Sequence, residues 1–244
     1  KPVDLIYIDP ARRDDNAQKV VFLEDYSPNV VHLLPELKTR SQTILIKASP
    51  MLDIKKAIAD LGLVSEVHVV GVKNEVKELL FLIGEGEIKN PIVKAVNLGE
   101  HVESFEFNFT SEEEADAEFS KVLNYLYEPN AAILKSGAFK SVGLAFGLKK
   151  LHVNSHLYTS KTLIEDFPGR SFRVLDELSL NKKRLRKQLQ TDQANITVRN
   201  FPMTMKEIRN KTGLTEGGTQ YIFATTDLEG KKVLLCEKIE QPKD

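Results

Sequence analysis

The chain has 244 residues, of which 41% are hydrophobic and 28% charged, so it is long enough for two or three packed domains. Its formal net charge of −1 does not mark the whole chain as a nucleic-acid binder. A single cysteine excludes an internal disulfide framework, and no apolar run reaches the roughly 18 residues that a membrane span needs. We therefore expect a cytoplasmic protein that does not enter a membrane.

The first predicted element is a strand from Val3 to Ile8, in which five of the six residues are apolar or aromatic. Such a run is typical of a fully buried parallel strand. Pro10 ends the strand because it has no backbone N–H to donate. Ligands of open α/β sheets lie beyond the carboxyl ends of strands, so Asp9 is a candidate site residue. The alternative at this position is a loop acid that caps the following turn.

The next predicted elements alternate between helix and strand: helix 30–37, strand 43–47, helix 52–61, strand 64–72 and strand 76–83. Ser27 and Ser49, each followed by proline, are the expected caps at the starts of the two helices. Only three residues separate the last two strands, and a parallel pair needs a much longer connection. We therefore predict that these two strands are antiparallel.

The middle of the chain predicts a small α/β insert. Its expected elements are strands at 91–96 and 104–109, helices at 111–127, 130–139 and 141–148, and short strands around a turn at 154–155.

The last third alternates again: strand 171–175, helix 182–189, strand 196–199, helix 205–212, and a hairpin of strands 220–226 and 232–237. From residue 169 to 212 there are eleven basic and four acidic residues, so this stretch carries +7. Lys183 and Lys187 lie outside the apolar stripe of Leu185 and Leu189. The basic helix is therefore a candidate platform for an RNA backbone, and the alternative is an ordinary solvated helix face.

A resemblance to a known family rests first on residues 4–13, which read D-L-I-Y-I-D-P-A-R-R. This segment resembles the fourth motif of class I S-adenosylmethionine-dependent methyltransferases, and the elements up to residue 83 resemble the second half of that fold. The resemblance implies an α/β fold made of the C-terminal half of a Rossmann-like methyltransferase sheet, followed by small α/β (α+β) domains. It also implies that Asp9 lies beside the transferred methyl group and contacts the group that receives the methyl. The Pro10 carbonyl is then a second oxygen that can accept a hydrogen bond from that group.

The whole chain resembles a bacterial, Bacteroidetes-type family of predicted methyltransferases with a THUMP-like C-terminal domain. The segments that carry this resemblance are 4–13, 126–139 and 169–239. It implies three domains: the C-terminal half of a methyltransferase domain at 1–87, a ferredoxin-like insert at 88–165 and a THUMP-like domain at 166–244. It also implies that the full-length protein is an enzyme with S-adenosylmethionine as cofactor and RNA as its substrate.

No G-x-G-x-x-G turn follows any predicted strand, and the resembling enzymes bind the methyl donor mainly through the half of the fold that precedes the first strand here. We therefore expect the chain to be a C-terminal fragment that is inactive alone. Two alternatives stay open, namely a non-catalytic module that binds RNA or a partner, and a methyltransferase of proteins or small molecules.

Several further residues are candidates for the site. Arg12 and Arg13 are expected to hold a phosphate or carboxylate, and Lys47 and Ser49, at the end of the next strand, are expected to face the same cleft as Asp9. The five histidines lie too far apart to form a metal site, so no metal is expected. Cys236 is remote in sequence from Asp9, which disfavours a covalent cysteine mechanism.

Overall fold

A computed structural model describes residues 2–12, 23–84, 86, 88–189 and 191–240. The chain divides into two compact units, which are described separately below. The first contains Lys1–Glu114 together with Asn130–Ala138, and the second contains Ala115–Pro129 together with Phe139–Asp244. Arg13 lies outside the described residues, so its predicted role as an anion contact remains a prediction.

The first unit is built from strands and helices that alternate along the chain. Its strands are β1 (Ile6–Ile8), β2 (Ala11–Arg12), β3 (Tyr26–Ser27), β4 (Ile44–Ala48), β5 (Val64–Val72), β6 (Glu75–Ile83), β7 (Ile92–Leu98) and β8 (Val102–Phe107). Its helices are α1 (Val30–Lys38), α2 (Ile54–Leu61), α3 (Phe109–Glu114) and α4 (Ala131–Ser136), and a 3-10 turn lies at Leu23–Asp25.

Six of these strands form one mixed sheet in the order β1-β4-β6-β5-β7-β8, and β2 and β3 form a separate two-stranded sheet. β1 and β4 are parallel, whereas β6 is antiparallel to both of its neighbours. The predicted antiparallel pair of β5 and β6 is therefore confirmed, and its tight turn places Lys73 and Asn74 at positive φ. An antiparallel strand inserted beside parallel ones makes this a mixed α/β sheet, which confirms the predicted fold class.

The prediction of a fully buried first strand was wrong. β1 spans only Ile6–Ile8, and the side chains of Leu5 and Tyr7 are 51% and 55% exposed. In the described part of the chain β1 pairs with β4 alone and is therefore an edge strand of the sheet. Its side chains are less covered by neighbouring residues than those of a central strand. Its direction, parallel to β4, is as predicted.

The two predicted helix caps were also wrong. Asn29 caps α1 by accepting a hydrogen bond from the backbone N–H of His32, and Asp53 caps α2 in the same way through Lys56. Ser27 and Ser49 lie too far upstream, because a cap must reach the N–H groups of the first helical turn. Gly62 ends α2 in the left-handed conformation, as expected.

The short helix α4 packs on the first sheet over β5 and β7. Asn130 caps it by accepting from the N–H of Ile133, and the Asn130 amide donates to Glu103. Asn97 donates to the same carboxylate, so buried amides and one acid hold the start of α4 against the sheet.

The second unit contains a seven-stranded sheet in the order β10-β11-β9-β12-β15-β14-β13. Its strands are β9 (Tyr125–Pro129), β10 (Lys149–Lys150), β11 (Tyr158–Ser160), β12 (Gly169–Glu177), β13 (Asn195–Val198), β14 (Gln220–Asp227) and β15 (Gly230–Ile239). Its helices are α5 (Ser141–Ala145), α6 (Lys182–Leu189) and α7 (Met205–Thr212). β13 is parallel to β14, and the other pairs are antiparallel.

Among the described residues, two groups of packed apolar side chains contribute to the core of the second unit. One group contains Leu185 and Leu189 of α6, Ile208 of α7, and residues of β13, β14 and β15. The other group contains Leu126, Phe172 and Phe223, from three strands of the sheet. The predicted apolar stripe of α6 is thus buried, which fixes the helix against the sheet.

The middle of the chain differs most from its prediction. The helix expected at 111–127 ends at Glu114, and residues 125–129 form the strand β9 instead. β7 and β8, expected within the insert at 88–165, belong to the sheet of the first unit. The division into domains at 1–87, 88–165 and 166–244 stays a prediction.

Candidate active site

The candidate site lies where β1 and β4 end. The two strands are parallel and in register, with Ile8 beside Ile46, so their carboxyl ends meet at one edge of the sheet. Asp9 follows β1, and Lys47 lies near the end of β4. Proline follows the polar residue after each strand, as Asp9-Pro10 and Ser49-Pro50, and neither proline has a backbone N–H with which to extend its strand.

Asp9 and Lys47 form an ion pair at this edge, with Nζ of Lys47 2.6 Å from Oδ2 of Asp9. Their side chains are 49% and 33% exposed, so the pair is open to solvent and to a ligand. The hydrogen bond to Asp9 raises the pKa of the Lys47 ammonium above its usual value, although partial burial opposes the shift. Lys47 is therefore charged at neutral pH.

The pair lines a cavity of about 230 Å³. Its lining residues are Asp9, Pro10, Tyr26, Lys47, Ala48, Ser49, Pro50, Lys77 and Glu78. Tyr26 is buried, and its hydroxyl accepts a hydrogen bond from the N–H of Ser49 at 3.4 Å. This contact ties the loop after β4 to strand β3.

Four predicted site residues, Asp9, Pro10, Lys47 and Ser49, come together in this cavity. Arg12 lies in β2, paired with Tyr26 through its backbone, and its predicted anion contact stays a prediction. Sequence reasoning missed Tyr26, Lys77 and Glu78. Lys77 and Glu78 reach the cavity because β6 is inserted beside β4, and no motif in their own segment marks them.

Chemically, the cavity is lined by the Asp9–Lys47 ion pair and by two further charged residues, Lys77 and Glu78. A carboxylate accepts hydrogen bonds from an amine or hydroxyl and can take up a proton from it. In the structure Lys47 donates to one oxygen of Asp9, and a carboxylate with about four lone-pair sites can accept from a ligand amine as well. No group of three or more metal-binding side chains occurs among the described residues.

The predicted basic surface lies on α6 in the second unit. Lys183 and Lys187 are exposed, whereas Leu185 and Leu189 are buried. In the described part of the chain neither lysine forms an ion pair with a carboxylate. Both ammonium groups are therefore available to an anionic partner.

Cys236 lies on β15 and is buried. Burial raises the pKa of its thiol to about 12, so the reactive thiolate is scarce at neutral pH. This environment fits a core residue rather than a nucleophile. None of the described helices is long and apolar enough to cross a membrane.

Comparison with known proteins adds two domain matches and one structural match. Residues 125–168 match a ferredoxin-like domain, and residues 169–238 match a THUMP domain-like family. A crystal structure of a "putative methyltransferase" from Porphyromonas gingivalis W83 superimposes with a TM-score of 0.88 at 40% identity. The match covers 97% of this chain and 60% of that chain, so this chain spans about three-fifths of the length of its structural relative. A search of curated proteins gives no significant match.

Together the sheet and the comparisons describe an α/β protein that carries a THUMP-like domain and resembles a protein assigned as a methyltransferase.

Proposed function

We propose that this chain forms the acceptor side of an S-adenosylmethionine-dependent methyltransferase that acts on RNA. The observation that carries the proposal is the Asp9 carboxylate, held 2.6 Å from Lys47 in an open polar cavity at the carboxyl ends of two parallel strands. Ligands of open α/β sheets bind at this edge. The likeness of nearly the whole chain to a protein described as a methyltransferase supports the same reaction.

In this proposal Asp9 orients the acceptor group and takes up its proton as the group is methylated. The Pro10 carbonyl is a second hydrogen-bond acceptor for an amine. Lys47 pairs with the Asp9 carboxylate through a charge-assisted hydrogen bond and holds it in place. Such alignment of two reactants is the main contribution that a protein makes to a displacement at carbon.

The described cavity is better suited to bind the group that receives the methyl than to enclose a whole molecule of S-adenosylmethionine. S-adenosylmethionine, when bound, supplies an electrophilic methyl group. The cavity of about 230 Å³ is smaller than the roughly 300 to 1,000 Å³ of pockets that enclose a drug-sized ligand. No G-x-G-x-x-G turn follows β1 or β4. We assign the main donor contacts to residues beyond this chain, in the part of the protein that corresponds to the rest of the Porphyromonas chain.

RNA is the proposed acceptor for two reasons. Residues 169–238 match a THUMP-like domain, and the same stretch carries the exposed lysines of α6. The phosphate backbone of RNA attracts such a surface whatever the base sequence.

The test is transfer of a labelled methyl group from S-adenosylmethionine to total cellular RNA, with the complete gene product as enzyme. Asp9→Asn should lower turnover by about a hundredfold or more, because the proton acceptor is lost, and should leave donor affinity within about twofold. Asp60→Asn is the matched control, since Asp60 pairs with Lys56 on the surface of α2 and does not line the cavity.

Full activity of Asp9→Asn would remove Asp9 from the mechanism. Methyl transfer to protein in place of RNA would replace the acceptor. RNA binding without any methyl transfer would favour a binding module on a methyltransferase scaffold.

A further inference from the structure

A second charged cluster lies in the other unit and plays no part in the proposed chemistry. Glu128 of β9 is 3% exposed, and Arg170 stands opposite it on β12. Arg170 donates to Oε2 of Glu128 through Nε, at 2.9 Å, and through Nη2. Arg199, just after β13, brings Nη2 to 2.8 Å from Oε1. Two guanidinium groups thus share one buried carboxylate.

The distribution of charge in this cluster is uneven. The Glu128 side chain is 4% exposed, whereas Arg170 and Arg199 are 35% and 42% exposed. The negative charge is therefore inside and the two positive charges face solvent, which leaves the cluster with a net charge of +1. One arginine would neutralise the Glu128 charge, so the second arginine gives the cluster its excess positive charge.

The two arginines are held to different degrees. Arg170 is fixed by its double contact with Oε2, and its guanidinium lies 5.5 Å from the ring centre of Phe172. Arg199 is close to Oε1 but is not aligned for a hydrogen bond, so Oε1 has no hydrogen-bond donor among the described residues. Its Nη1 donates to the carbonyl of Val198 at 3.2 Å. Arg199 is thus held mainly by charge and is the arginine that can turn toward a ligand.

In the described part of the chain neither arginine has a second carboxylate partner. Each guanidinium carries five N–H donors in a rigid fork that matches the oxygens of a phosphate. Because both heads contact one carboxylate, they lie close enough to reach different oxygens of a single phosphate group. Glu128 holds the arginines in place before a ligand arrives, which reduces the entropy lost on binding.

We propose that Arg170 and Arg199 form a phosphate-binding site that holds a backbone phosphate of the RNA substrate, with buried Glu128 as their positioning residue. The RNA identity of the ligand rests on the proposed function. The site joins the segment that matches the ferredoxin-like domain, which supplies Glu128, to the THUMP-like segment, which supplies both arginines. The continuous pairing of β9 with β12 makes this possible.

The test measures binding of a fluorescent RNA hairpin with a single-stranded tail to the 244-residue chain at several salt concentrations. Arg199→Gln should lower affinity about tenfold at low salt and reduce the log–log salt slope by about 0.7 to 0.9. Arg199→Lys keeps a charge beside Glu128 and should fold normally, yet bind RNA about threefold more weakly because lysine lacks the fork. Arg173→Gln removes the same charge from the same strand as Arg170 and should change affinity by less than about twofold.

Competition with inorganic phosphate separates the sources of the ligand. RNA binding that weakens in Arg199→Lys and Arg199→Gln but not in Arg173→Gln supports the proposal. RNA binding that both Arg199 variants retain in full overturns the site and leaves the proposed function intact. Phosphate binding that disappears in Arg199→Gln, without any RNA binding by the parent chain, supports a site for free phosphate and overturns RNA as the acceptor. If the parent chain binds neither RNA nor inorganic phosphate, the proposed site is refuted.

Discussion

Replacing Gly71 with alanine should destabilise the first unit, although strand glycines are usually improved by alanine. Gly71 lies in β5, beneath α4. A Cβ at this position would lie 3.0 Å from Oδ1 of Asn97 and 3.6 Å from Cβ of Ala132. Asn97 is 7% exposed and has little room to retreat. Its Oδ1 accepts from the N–H of Asn74, and its amide donates to Glu103, both at 2.9 Å.

The cost follows from these contacts. Moving Asn97 by a few tenths of an ångström weakens one or both hydrogen bonds of a buried amide, which costs about 1 to 3 kcal/mol. Alanine recovers about 0.4 to 1 kcal/mol by restricting the unfolded chain. We therefore expect Gly71→Ala to lower the free energy of unfolding by about 1 to 2 kcal/mol.

The assay is a double-mutant cycle measured by denaturant unfolding. Asn97→Ala alone removes the hydrogen bonds and destabilises the protein. In that background Gly71→Ala should become neutral or slightly stabilising, because the atom with which it collides is gone. An equal cost of Gly71→Ala in both backgrounds would refute the reasoning, as would no cost in the parent chain.

Two further predictions concern the second unit. Changing Lys183 and Lys187 together to glutamine should reduce the log–log salt slope of RNA binding by about 0.7 to 0.9 for each phosphate that is no longer neutralised. The free energy of unfolding should change by less than about 0.5 kcal/mol, because both side chains are on the surface. If the parent chain and the double variant have identical slopes, α6 is a solvated helix face that does not contact RNA. Cys236, with a thiol pKa raised to about 12 by burial, should react with a thiol reagent at pH 8 only after unfolding, and rapid labelling of the folded chain would contradict its burial.

The elements predicted best are those that short-range contacts specify. α7 spans Met205–Thr212, as expected, because Thr204 and Glu207 form a reciprocal capping box and Gly213 ends the helix in the left-handed conformation. The pairing of β5 with β6 was predictable for the same reason, since a tight connection leaves only one arrangement.

The failed helix at 111–127 shows the limit of such reasoning. After Glu114 the backbone bonds to distant groups: the N–H of Val122 donates to Asp227, and the N–H of Leu123 donates to Thr159. These partners lie 105 and 36 residues away. Long-range tertiary contacts override the helical propensity of this segment, and no local sequence pattern reveals those contacts.

Some residues of the candidate site were predictable from the sequence, and others were not. Asp9 and Lys47 were predictable because the carboxyl ends of parallel strands meet at one edge of a sheet. Tyr26 and Lys77 depend on the path of β3 and on the insertion of β6. The contacts of Glu128 with Arg170 and Arg199 span 42 and 71 residues and required the strand order of the second sheet.

The path of the chain around α4 has a consequence for modularity. The chain leaves the second unit after Pro129, supplies α4 to the first unit, and returns at Phe139. The ferredoxin-like sequence match runs from residue 125 to 168 and therefore includes α4, which packs on a sheet that the match does not contain. The residues that match the ferredoxin-like family in sequence are therefore not the same residues that form one compact unit in the structure. A graft of residues 125–168 into another protein would carry a helix whose buried Ala132 and Ile133 had no partner surface to cover them.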